Sequence, residues 1–224
     1  MNLRAAAPLH RRILDTFVAP RRLFAGFDQD TPWFDVLLIS TGAAVAAATL
    51  IPDEFFLAQV ENPVDRLGRP VVVTSSPGAV AHYGRLLAMM SAFVGHPILA
   101  FCLAGVLSLV FTILGGGAAS YRQYLAVVSH AFLIPALGTI IVLAANALGH
   151  GPVSFNLALL APGLTQGGLA LRLLAGIDPF MIWMLLVTAV GVAQLDGRRR
   201  WGSAAGTLLL LYLLFDLSTA LFIA

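Results

Sequence analysis

The sequence predicts an all-α polytopic membrane protein: a bundle of five transmembrane helices, N-terminus inside, preceded by an interfacial amphipathic helix. Three observations carry this expectation. Of the 224 residues, 59% are hydrophobic and only 11% are charged, whereas an ordinary soluble domain carries about 25% charged residues. Five apolar stretches, at residues 34–51, 86–114, 124–148, 179–195 and 203–222, are between 17 and 29 residues long, and a spanning helix needs about 20. Within all five, the only formal charges are Asp35 and Asp216. One hydrophobic core could not bury so much apolar surface behind a polar exterior, so a soluble enzyme and a disordered chain are both excluded.

Residues 1–32 read as a cytoplasmic amphipathic segment. Arginines interrupt it throughout, so it has no apolar core of signal-peptide type. Between residues 10 and 27, Arg11, Arg12, Arg21 and Arg22 alternate with Ile13, Leu14, Phe17, Leu23, Phe24 and Phe27. Ile13 and Phe17 share a helix face, as do Leu23 and Phe27, and Pro20 suits the first turn of a second short helix. Such a segment is expected in the headgroup layer, its four arginines reaching anionic lipid. Trp33 and Trp201 are candidates for the same interface.

Residues 33–224 read as one transmembrane domain, oriented by its arginines. With the N-terminus inside, Arg4, Arg11, Arg12, Arg21, Arg22, Arg122, Arg198, Arg199 and Arg200 face the cytoplasm, and Arg66, Arg69, Arg85 and Arg172 face outward. This asymmetry is the one that the positive-inside rule prefers, and five spans then put the C-terminus outside. The long outer loops are residues 52–85 and 149–178. The first is expected to hold a short helix and a hairpin around the β-prone run 71–74. In the second, residues 156–161 and 168–175 are too short to span, and are expected along the outer surface or dipping partly into it. All thirteen basic residues are arginine, which reads as a GC-rich, bacterial genome, and the pI of 9.1 reflects topology rather than nucleic-acid binding.

Candidate chemistry is sparse. Asp216 lies well inside the last stretch, where a carboxylate costs about 2.5–3.5 kcal/mol on insertion scales, so it is expected neutral or paired. It is either a proton or substrate relay or a packing hydrogen bond. His96 precedes Pro97, and His130 precedes Pro135; each proline frees a backbone carbonyl and favours a kink. At 1.5 Å rise per residue, Asp216 lies roughly 20 Å and His96 roughly 24 Å from the inner ends of their spans, so the two would pair if the last helix packed beside the second. His130, roughly 10 Å up its own span, does not reach that depth. The five histidines are scattered, with no HExxH and no CxxC, so no metal is expected. Gly115-Gly116-Gly117 lacks the Lys of a phosphate loop and reads as a short inner turn. Gly202 and Gly206 form a small-xxx-small pair that permits close helix approach. No nucleophile–base spacing is visible, so no enzyme activity and no cofactor are expected.

The order of motifs resembles a family. Phe17-Val18-Ala19-Pro20-Arg21-Arg22-Leu23-Phe24 before Pro32-Trp33 is similar to the entry segment of bacterial Yip-type proteins, the Rab/Ypt-interacting membrane family. Gly115-Gly116-Gly117-Ala118-Ala119-Ser120-Tyr121-Arg122-Gln123-Tyr124, followed by Pro135, resembles its central inner turn and third span. Ile177-Asp178-Pro179-Phe180-Met181-Ile182-Trp183, then Gly191, resembles its fourth span. The resemblance implies a five-span bundle with the N-terminus in the cytoplasm of a bacterial inner membrane. It implies a non-enzymatic partner or organiser of other membrane proteins, such as an ABC exporter of the MacB type, or of bilayer shape. The alternative is a small transporter or proton-coupled channel subunit using Asp216 and His96. Expected partners are the lipid bilayer and other membrane proteins or a second copy, and no nucleic acid.

Overall fold

Capping and proline chemistry set where the helices begin and break. The computed structural model describes residues 7–27, 31–58, 76–148, 155–164 and 168–222. Among these the regular structure is entirely helical. The N-terminal segment forms α1 (Leu9–Val18) and α2 (Pro20–Phe24), with Pro20 at the first helical position. It is followed by α3 (Phe34–Thr49) and a short α4 (Asp53–Ala58). Helix α5 (Pro77–Leu107) continues as a π-helical segment over Ser108–Leu114. Next come α6 (Tyr121–Ala131), α7 (Leu133–Ala147), a 3-10 turn at Leu157–Leu160, and α8 (Leu169–Gly176). Helices α9 (Pro179–Leu195) and α10 (Trp201–Phe222) complete the bundle.

Several expected boundaries move. The first stretch ends its helix at Thr49, giving 16 residues, because Pro52 follows closely and disfavours helix in the residue before it. The second begins at Pro77, nine residues before the apolar run: Pro77 occupies the first helical position and Ser76 Oγ accepts from the Ala79 amide at 3.3 Å. That cap is polar and therefore invisible to an apolar-run count. The helix passes Pro97 without a break. The third stretch divides at Phe132, since the Pro135 ring crowds the carbonyl four residues earlier, that of Ala131. Its start is fixed by a reciprocal capping box between Ser120 and Gln123. The fourth keeps its expected bounds, with Asp178 Oδ1 capping the Phe180 and Met181 amides at 2.6 and 3.4 Å. The expected short helix in the first outer loop is α4, whereas the β-prone run 71–74 lies outside the described residues.

Three helical segments are long and apolar enough to cross a membrane: Pro77–Leu114, Tyr121–Ala145 and Trp201–Phe222. A fourth is possible as the pair α8–α9, which bends by 53° between Gly176 and Pro179. Helix α3 is apolar but shorter.

Helix α6 is the centre. Helices α3, α5 and α9 pack around it, α10 packs on α9 and α8, and α1 and α2 close one end against α6, α3 and α9. The α6–α9 seam is tight: a Cβ on Gly191 would lie 2.5 Å from Val127 Cγ1, so the glycine lets the two backbones approach. The turn into α6 depends on Gly116 at φ +67°, a left-handed conformation that a Cβ disfavours.

Candidate functional site

Three intramembrane polar side chains were expected to matter, and the structure puts them in three different places. His130 is fully buried in α6. Its Nδ1–H donates to the Ala126 carbonyl, one turn back along the helix, at 2.8 Å. Its Nε2 is buried with no hydrogen-bond partner among the described residues. Phe27 and Phe24 cover the ring at centroid distances of 5.2 and 6.4 Å. The N-terminal segment thus forms the lid of this compartment, and Gln123 Nε2 donates to the Phe27 carbonyl at 3.0 Å to hold that lid down.

The lid carries charge inward. Arg12 is buried, and its guanidinium forms an ion pair with Asp35 at the start of α3 while Nε donates to the Ala7 carbonyl. This corrects the expectation that Arg12 reaches lipid: its stem is buried on the inward face of α1, and its guanidinium is taken up by Asp35. Asp15 is also buried and pairs with Arg22, which stays exposed. The hydrogen bond from Arg22 holds the Asp15 carboxyl below its ordinary value of 3.8. Arg11 and Arg21 are exposed, as an interfacial role requires. Trp33 instead packs edge-on against Phe34 and Phe101 and is half-buried. Trp201 is exposed, its indole N–H 3.4 Å from the Leu186 carbonyl.

His96 lines an apolar groove of about 420 Å³ between α3, α5, α7 and α9, whose walls include Ala44, Ala48, Ala92, Pro135 and Met184. Its Nε2 meets Ser40 Oγ at 3.1 Å, and its ring stacks edge-on against Phe132 at 4.7 Å. Asp216 is buried against Gly176, where α10 crosses the end of α8, and Tyr212 donates to the Gly176 carbonyl one turn below. The Asp216–His96 pair is therefore not formed. Helix α10 packs against α8 and α9, and His96 turns toward α3.

Sequence reasoning missed the Arg12–Asp35 pair. A signal existed: Asp35 is one of two carboxylates in the apolar stretches, and a buried charge demands a partner. Among the described residues, no three His, Cys, Asp or Glu side chains are close enough to share an ion. The described polar groups of the interior are separate, His130 Nε2 and Thr41 Oγ1 having no hydrogen-bond partner among the described residues. Comparison of the chain with protein-family models, curated proteins and solved structures finds no match in any of the three.

Proposed function

We propose that this chain is a non-enzymatic integral membrane protein of the Yip type, a membrane-embedded partner or organiser of other membrane proteins, such as an ABC-type exporter, or of bilayer shape. In this reading it sits in a bacterial inner membrane with its N-terminus cytoplasmic and its C-terminus outside. The five crossings are α3, α5, α6–α7, α8–α9 and α10. Helix α3 spans only roughly 24 Å against a hydrocarbon core of about 30 Å, so its flanks or a thinned bilayer complete the crossing.

The observation that carries the partner role is the unpartnered outer face of the two peripheral helices. Phe93, Ile98, Leu210, Leu213 and Phe215 point away from the chain's own core. On the same helix α10, a Cβ at Gly202 or Gly206 would meet nothing within 4 Å. The small-xxx-small pair is thus unused inside this chain and open to a helix from elsewhere. A transport reading would rest on the groove beside His96, but the carboxylate it needs, Asp216, lies on a different helix pair.

Affinity purification in mild detergent tests the proposal. Wild type is expected to bring down a membrane-protein partner at near-equal stoichiometry, and the Gly202→Leu/Gly206→Leu double variant to lose it. A partner-free protein that moves solute or protons in reconstituted vesicles would replace this reading with transport. For orientation, alkaline phosphatase fused after Phe222 should be active and fused after Arg200 inactive; the reverse pattern would invert the assignment.

A further inference from the structure

The end of the bundle where the π segment finishes and α10 begins holds a basic hollow. It has a volume of about 420 Å³ and is lined by Gly115, Gly116, Asp196, Arg198, Arg199, Arg200 and Ser203. Three guanidiniums face one carboxylate, so the lining is cationic. Arg199 forms the fixed floor. Its Nε donates to Asp196 Oδ2 at 3.3 Å, its Nη2 donates to the Gly115 carbonyl at 3.3 Å, and its guanidinium carbon stacks 4.9 Å from the Phe111 ring centre. Asp196 also accepts from the Arg198 backbone amide at 3.4 Å, so its charge is already engaged. Among the described residues, the Arg198 and Arg200 guanidiniums have no protein hydrogen bond, and both are exposed. The first turn of α10 opens on the same hollow through Ser203, adding the positive end of a 22-residue helix.

The rim beside this charge is apolar. Ile113 and Leu114 at the end of the π segment, and Trp201 directly after Arg200, are all exposed. A cationic hollow edged by exposed apolar side chains matches an amphiphile, with a phosphate for the hollow and acyl chains for the rim. A free anion would use only the hollow. We propose that this is the headgroup site of one anionic phospholipid, its phosphate held by Arg198, Arg199 and Arg200 and its chains lying along Leu114 and Trp201. The inference rests on the membrane reading above and adds a defined lipid site to it.

The test is native mass spectrometry of the protein purified in detergent at about 0.15 M salt, where distant charges are screened beyond about 8 Å. The protein is offered phosphatidylglycerol, phosphatidylcholine or inorganic phosphate. Wild type should retain one phosphatidylglycerol in preference to phosphatidylcholine. Arg198→Gln and Arg200→Gln should each weaken retention by about tenfold, as expected for loss of a hydrogen bond to a charged group. Arg122→Gln is the control: an exposed arginine at the start of α6, just past the same turn, outside the hollow. It should change retention by less than about twofold. Arg198→Lys and Arg200→Lys, which keep the charge, should retain most of the binding, and unchanged elution profiles show that each variant folds.

Equal losses in Arg122→Gln and Arg198→Gln would mean a diffuse charge effect and overturn the site. So would protection from heat by inorganic phosphate with no lipid retained, which would make it a free-anion pocket. Absence of any preference for phosphatidylglycerol in wild type would also overturn it. In each case the protein would still require detergent, so the membrane reading would stand. A chain soluble without detergent would instead overturn that reading itself.

Discussion

Helices α5 and α6 are neighbours, and they use their residues in opposite ways. The 31-residue α5 buries only Ala81, Ala100, Ala104 and Leu107. The 11-residue α6 buries an unbroken run from Tyr124 to Ala131, Ser129 and His130 included. In the spanning segments that contain them, 22% and 67% of the apolar stretch is buried, respectively. In water Ser129 and His130 of α6 would be expected toward solvent, and Leu87, Phe93, Ile98 and Leu99 of α5, all exposed here, toward the core. Here the order is inverted. That inversion is what a hydrocarbon solvent favours: lipid covers apolar side chains without penalty, while polar ones need partners that only the protein interior supplies.

The largest expected effect comes from stranding a charge at the α6 end of this comparison. Asp35→Ala leaves the Arg12 guanidinium buried without its carboxylate and should destabilise the protein by about 2–3 kcal/mol in detergent unfolding. Because Asp35 itself is 42% exposed, the lower part of that range is expected. Replacing both partners by Met and Leu should recover most of the loss. If the double replacement were as damaging as the sum of the two single ones, the pair would not be coupled.

The two histidines sharpen the contrast between centre and periphery. His130→Ala opens a cavity in the buried centre and should lower stability by roughly 2 kcal/mol. His96→Ala, at the half-buried groove, removes one interhelical hydrogen bond and should lose about 0.6 kcal/mol. Equal losses would show that the groove is as tightly packed as α6. At the α6–α9 seam, Gly191→Ala forces Val127 to shift and should destabilise by about 1 kcal/mol, with Val127→Ala in the same chain restoring most of it. A neutral Gly191→Ala would show that the seam has slack.

The smallest effect lies in the N-terminal segment. Asp15 has a folded-state pKa below its ordinary value of 3.8 because Arg22 donates to it. Its contribution is therefore fully present above about pH 4 and disappears as the pH falls through the lower, folded value. Asp15→Asn should flatten that part of the acid unfolding profile and leave the neutral-pH profile parallel to wild type. An acid limb identical to wild type would show that the pair makes no difference to folding.

Much of the fold was legible without coordinates because apolar runs, prolines and caps act locally. The fourth helix kept its bounds because Asp178 and Pro179 cap it from within the sequence. The start of α5 was misplaced because His82, Gly84 and Arg85 interrupt the apolar run between the Ser76–Pro77 cap and Leu86. The candidate sites were less legible. His130, His96 and Asp216 were singled out as polar groups in apolar stretches; their neighbours are a phenylalanine lid, a serine on α3 and a glycine on α8.

Composition and periodicity determined that the chain is helical and apolar enough for a bilayer, the bounds of the fourth apolar helix, and which side chains would be awkward to bury. These are properties of single segments, governed by backbone hydrogen bonding and transfer energies that do not depend on neighbours. Only the tertiary structure decided that α6 is central and α5 peripheral, that Arg12 turns inward to Asp35, and that α10 lies against α8 rather than beside His96. Those outcomes depend on which helix faces interlock. Rotation about the helix axis decides whether two side chains at the same depth meet or point apart, and depth along the axis carries no information about that rotation.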